Sequence, residues 1–153
     1  MANPAMQRDI GSALIGRACG AAAATAGGSG DATEVDGKWI DRQGYSSAKL
    51  IIGVRAVLGA TETVTLAANL QDASDSSGTG AADYGSAVAA TTAATGGGGG
   101  TTEFGQIELD FDLSGAKRYI RPQFTPNLSR ANTDTAIVSA TLILGGADKL
   151  PAA

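Results

Sequence analysis

The chain reads as an all-β protein: an antiparallel β-sandwich, jelly-roll-like, with a flexible N-terminal arm and a long Gly-rich loop. Three observations predict this. Several stretches place an apolar residue at every second position, the period of a half-buried strand. Glycine-rich segments separate those stretches. No internal stretch holds a convincing helical period, so sheet must pack on sheet. Long strands and one long crossing loop suit a jelly roll first and an immunoglobulin-like sandwich second.

The elements follow in order. Residues 1–30 are expected as the arm, rich in small residues and ending in Gly27-Gly28-Ser29-Gly30. Within it, 7–19 fits a short helix weakened by Gly11 and Gly16, or an extended segment equally well. The sandwich is expected over 31–146. Its first long strand sets Ala48, Leu50, Ile52, Val54, Ala56 and Leu58 on one face. Val64, Leu66, Ala68 and Leu70 mark the second, and Gly59-Ala60 between them predicts an antiparallel hairpin. Residues 72–100, dominated by Ser, Gly and Ala, are expected as the long loop and close with five consecutive glycines. Next, Ile107, Leu109, Phe111 and Leu113 alternate with Gln106, Glu108, Asp110 and Asp112, the clearest strand with one wet face. Residues 118–125 form another candidate, ended by Pro126. Finally Val138, Ala140, Leu142 and Leu144 alternate with Ile137, Ser139, Thr141 and Ile143. Apolar on both faces, that strand is expected at a sheet centre or an interface. Residues 147–153 form a tail.

Composition narrows the function. The 153 residues include 11 Lys+Arg, 15 Asp+Glu and no histidine, for a net charge of −4. A histidine general base, a Ser-His-Asp or Cys-His nucleophile and a His-ligated zinc are therefore excluded within this chain. One cysteine, Cys19, excludes an internal disulfide and is expected as a small buried residue of a protein made in a reducing cytoplasm. The acidic balance gives no basic footprint for direct nucleic-acid binding. No stretch approaches the roughly 18 apolar residues of a membrane helix. Of the chain's residues, 30 are Ala and 22 are Gly, which leaves few large side chains for a core. Such a thin core gains from burial against other chains, so copies of itself, as dimer or trimer, are expected partners.

Four motifs invite chemistry, and each has a plainer structural reading. Glu108, Asp110 and Asp112 share a strand face, with i and i+2 about 6.6 Å apart. That spacing is open to glycoside hydrolysis, but a solvated face that discourages edge pairing is favoured. Asp72, Asp75 and Asp83 offer oxygen ligands in a Ser/Gly loop, yet the EF-hand pattern fails and turn chemistry suffices. Gly96–Gly100 lacks the Lys-Ser/Thr of a phosphate loop and reads as a spacer. Lys117-Arg118-Tyr119-Ile120-Arg121-Pro122 is the basic, aromatic cluster. A protein contact, with its arginines on carboxylates of a neighbouring subunit, is favoured over single-stranded nucleic acid. Trp39 is expected as a core or interface anchor, and Gly44 as a turn glycine. No cofactor and no metal are expected.

Several segments together resemble a known class. They are Arg8-Asp9-Ile10-Gly11-Ser12-Ala13-Leu14, then Gly37-Lys38-Trp39-Ile40-Asp41-Arg42-Gln43-Gly44-Tyr45, then Leu70-Gln71-Asp72-Ala73-Ser74-Asp75, Arg118-Tyr119-Ile120-Arg121-Pro122 and Leu144-Gly145-Gly146. This pattern resembles small virion proteins of tailed bacteriophages encoded near the major capsid protein, including capsid cement or decoration proteins. The resemblance implies a jelly-roll-like sandwich on the outside of an icosahedral shell, made in the bacterial host cytoplasm. It further implies clamping of neighbouring capsomers through the major capsid protein, with no enzyme activity and no membrane. The expected contacts are Arg8, Ile10, Leu14, Ile15 and Arg17 of the arm, with Trp39, Arg42, Arg118 and Arg121. A tail or head–tail component is the alternative, and a surface carbohydrate-binding module reading through Trp39 or Tyr84 is a third.

Overall fold

A computed structural model describes residues 14–129 and 133–149. Its strands are β1 (Ile15–Thr25), β2 (Val35–Asp36), β3 (Ile40–Asp41), β4 (Tyr45–Leu58), β5 (Thr63–Ala73), β6 (Ala82–Thr95), β7 (Thr101–Asp112), β8 (Tyr119–Leu128) and β9 (Thr135–Ala147). They form two antiparallel sheets. Sheet A has the order β1-β9-β4-β7, and sheet B has β2-β8-β5-β6, with β3 also on β8. Counting β2 and β3 as one interrupted strand, pairing is nested: β1 with β9, β2/β3 with β8, β4 with β7, β5 with β6. That nesting is the jelly roll.

Alternation decides which face each strand buries. Leu50, Ile52 and Leu142, Leu144 of sheet A meet Leu66, Leu70, Ile120 and Phe124 of sheet B, all essentially without solvent contact. Burying each such side chain contributes about 2 kcal/mol. The expected central position of the last strand holds, since β9 lies between β1 and β4.

Three expectations change. Residues 15–25 are not part of an arm: they pair with β9 along their length as an edge strand. Alanine hides this from pattern reading, because inward Ala24 and outward Ala23 look alike in sequence. Residues 1–13 lie outside the described residues. Residues 82–95, expected within a loop, form β6. Only Tyr84, Val88, Ala93 and Ala94 of β6 pack on the core, so its ladder to β5, with three register shifts, defines it. Finally, β4 and β5 are not a hairpin. Each pairs within a different sheet, and 59–62 carry the chain across the sandwich edge. Both strands have an apolar face to bury, and facing each other across the core satisfies both.

Strand β8 continues through Pro126 to Leu128. The Pro122 carbonyl accepts from Gly37 N (2.8 Å) and the Pro126 carbonyl from Ala32 N (2.9 Å), both on the β2/β3 side. In an antiparallel strand a residue's N and O point the same way. The missing proline N–H groups therefore face the interrupted strand, and the ladder to β5 stays whole.

Candidate interaction surfaces

The β2–β3 link builds the first surface. Gly37 is buried with its backbone against Pro122, where an added Cβ would lie 2.8 Å from the proline ring and carbonyl. Lys38 N donates to the Cys19 carbonyl at 2.7 Å, so the link closes the sandwich beside β1. Trp39 then projects over β8. The Arg121 guanidinium lies 4.7 Å from its ring centroid, a cation–π geometry. Arg121 also bonds Asp36 (2.9 Å) and donates twice to Gln71 Oε1 (3.0 and 2.9 Å).

A second set sits beside it. Arg118 grips Asp41 through Nε and NH2, with NH2–Oδ2 at 2.7 Å. That hydrogen bond holds the Asp41 carboxyl below its usual range and raises the Arg118 guanidinium further. Arg42 donates to the carbonyls of Lys117 (3.0 Å), Tyr45 (3.2 Å) and Ala116. Lys117 pairs with Asp72 at 3.0 Å, and Asp72 also accepts the Lys117 amide.

Trp39, Arg42, Arg118 and Arg121 thus converge at one end of β8. The arginine partners differ from the expectation: the carboxylates come from Asp36 and Asp41 of the same chain. Sequence spacing cannot show this, since 77 residues separate Asp41 from Arg118. Leu14, Ile15 and Arg17 lie at the start of the β1 edge, in the sheet opposite β8. Arg8 and Ile10 fall outside the described residues.

Across the outer face of sheet B runs a polar ladder. Asn69 donates to Asp83 (3.1 Å) and Gln123 (3.0 Å), and Gln71 donates to Asp83 at 3.0 Å. Gln123 donates to Glu34 (2.9 Å) and Asp36 (2.5 Å). Trp39 ends this row under Arg121. Tyr84 donates its hydroxyl to the Asp112 carbonyl at 2.7 Å.

The outer face of sheet A is different. Phe104 is 75% exposed, Ile137 57% and Val57 43%. Phe104, Arg55 and Ile137 occupy one row across β7, β4 and β9. With Gly53, Gly105 and Ser139 they line a shallow groove. Sequence reading missed Phe104, Val57 and Arg55; its signal was the two-sided apolarity of β9, where Ile137 and Ile143 face outward. The acidic row lies on this same face and is solvated as expected. Lys49 bridges Glu108 (3.2 Å) and Asp110 (2.9 Å), and the two carboxylates raise its ammonium above the usual lysine range.

The smaller motifs resolve locally. Asp75 accepts from Ser77 N (2.9 Å) and Thr79 N (3.1 Å), which makes 75–79 a side-chain-closed turn. Cys19 is buried, donates to the Ala140 carbonyl at 3.2 Å, and burial pushes its thiol up to about 11. Gly44 takes φ +85, the left-handed conformation expected of it.

No family model and no curated protein matches this chain. Solved structures do. The infectious bursal disease virus VP2 subviral particle aligns at 10% identity and TM-score 0.44, over 88% of this chain and 33% of that one. PBSX exported protein XepA aligns at 13% identity and TM-score 0.44, over 91% and 39%. Caldicellulosiruptor saccharolyticus CBM27-1, in complex with mannohexaose, aligns at 10% identity and TM-score 0.38, over 71% and 63%. This chain therefore spans about a third of the length of the VP2 protein it is similar to. The chain itself is an all-β, antiparallel jelly-roll sandwich.

Proposed function

We propose that this chain is a non-enzymatic virion structural protein: a capsid cement protein on the outer surface of an icosahedral phage head. The observation that carries this reading is the nested jelly roll, an architecture used in viral shells. The sequence resemblance to phage decoration proteins points the same way. Its partner is the major capsid protein, contacted through the β8 end, where Trp39, Arg42, Arg118 and Arg121 are already held in place. Such preorganisation lowers the entropy lost on docking. Many equal contacts, repeated by symmetry, turn a modest affinity per copy into strong avidity.

Cosedimentation with empty capsids of the matching phage tests this. Saturable binding at regular lattice positions, with shells harder to burst, is expected. Trp39→Ala and Arg121→Ala should weaken it at least tenfold while circular dichroism stays unchanged. No binding to intact shells overturns the reading and turns attention to tail or head–tail assemblies.

One observation favours a second reading. The Asn69, Gln71, Asp83 ladder with Trp39 at its end offers the hydrogen-bonding and stacking groups of a saccharide surface. Arg121 covers one face of Trp39, which weakens that reading. Retention on immobilised glycans, lost in Trp39→Ala, would favour it over the cement role.

A further inference from the structure

We infer that the outer face of sheet A is a self-association surface whose occupant is a second copy of this chain, stacked face to face about a twofold axis along the strands, between β9 and β4. The inference is independent of the virion reading.

Register determines what the face presents. Four of its six outward rows, from β7 to β1, are Phe104-Arg55-Ile137-Ala23, then Gln106-Gly53-Ser139-Ala21, then Glu108-Ile51-Thr141-Ala18, then Asp110-Lys49-Ile143-Gly16. Long side chains stand along β7. Along β1 only Ala and Gly face outward in these rows. A twofold axis parallel to the strands keeps each row and reverses its order. It sets β7 on the partner's β1 and β4 on the partner's β9. Phe104 then falls over the shelf around Ala23, and the Arg55 stem over Ile137. The long edge meets the short edge twice, as an isologous contact requires.

Charge follows the same operation. Glu108 and Asp110 share one Lys49, so their end of β7 keeps a net negative charge. The twofold axis brings it opposite Ala18 and Gly16 of the other copy's β1, where no like charge meets it. Arg17 pairs with the inward Leu142, so alternation turns it to the other side of β1.

Size is adequate as well. Four strands about 4.8 Å apart and six outward rows about 6.6 Å apart give roughly 600 Å² per copy. The total of about 1,200 Å² reaches the lower bound for specific interfaces. Phe104, Ile137 and Val57, exposed around Arg55 toward one end of the face, are the apolar anchors such an interface needs. The outer face of sheet B, crossed by its hydrogen-bonded ladder, has no comparable apolar centre.

Sedimentation equilibrium on the full chain tests the inference, with circular dichroism and thermal melting as the folding control. The wild type should dimerise. Phe104→Asp and Ile137→Asp should each raise the dissociation constant at least tenfold with unchanged melting. Ala18→Glu, which sets a carboxylate opposite Glu108, should weaken the dimer, and adding Glu108→Lys with Asp110→Lys should restore it. A monomer at every concentration overturns the surface. A dimer indifferent to Phe104→Asp and Ile137→Asp overturns it too. A failed charge-swap rescue overturns the strand-parallel axis.

Discussion

The Arg121 guanidinium stacks 4.7 Å from the Trp39 ring centroid while its nitrogens bond Asp36 and Gln71. One side chain thereby ties the β2–β3 link, β8 and β5 together. A double-mutant cycle with Trp39→Phe and Arg121→Gln should show a coupling of about 0.5–1 kcal/mol. Urea unfolding measures it. Trp39 is the sole tryptophan, so Arg121→Gln should also shift its emission.

Gly37→Ala should destabilise the fold by about 1–3 kcal/mol, because its Cβ meets both the ring and the carbonyl of Pro122 at 2.8 Å. The damage should localise. Hydrogen exchange at Lys38, whose amide bonds the Cys19 carbonyl, should accelerate before the β4–β9 ladder does. Uniform acceleration across both sheets would contradict this.

Cys19 predicts an alkaline limb. Its folded pKa is raised from 9.0 to about 11 by burial. The unfolded chain therefore ionises first. The stabilisation is whole below pH 9 and falls away as pH rises toward 11, by about 2–3 kcal/mol in total. Cys19→Ser should flatten that limb relative to wild type. Thiol reagents should label native protein at pH 8 far more slowly than urea-unfolded protein.

The acid limb has the opposite sign. Arg118 holds Asp41 low, the Thr79 side chain and nearby amides hold Asp75 low, and the Ser114 amide and side chain hold Asp112 low. Each contributes stability above the ordinary carboxylate pKa of 3.8 that is lost as pH falls through the lower folded value. Asp41→Asn should reduce the urea-midpoint difference between pH 5 and pH 2. An unchanged difference would show that the pair is fully screened.

Asp134 anchors the crossing between the sheets. It is buried, and its Oδ1 accepts from Gly59 N at 2.9 Å, tying the end of β4 to the start of β9. Asp134→Ala leaves that amide unpaired and should cost about 1–3 kcal/mol by urea unfolding.

Alternation alone determined much of this protein. Leu50, Ile52, Leu66, Leu109 and Leu142 announce their inward faces because only burial rewards that period. The all-β class and the central place of β9 follow from the same reasoning. Alanine and glycine carry no such signal, so β1 and β6 became visible only through their ladders to β9 and β5. The β4–β5 crossing was hidden for another reason. A short Gly-containing link serves a hairpin or an arch, and only the opposing sheet decides between them. At the candidate surfaces, the residue types of the β8 end were legible, but not their pairings. Asp36 with Arg121 and Asp41 with Arg118 depend on strands far apart in sequence. The Phe104–Arg55–Ile137 row arises from register, which no local pattern encodes: three strands must meet before their outward residues form one surface.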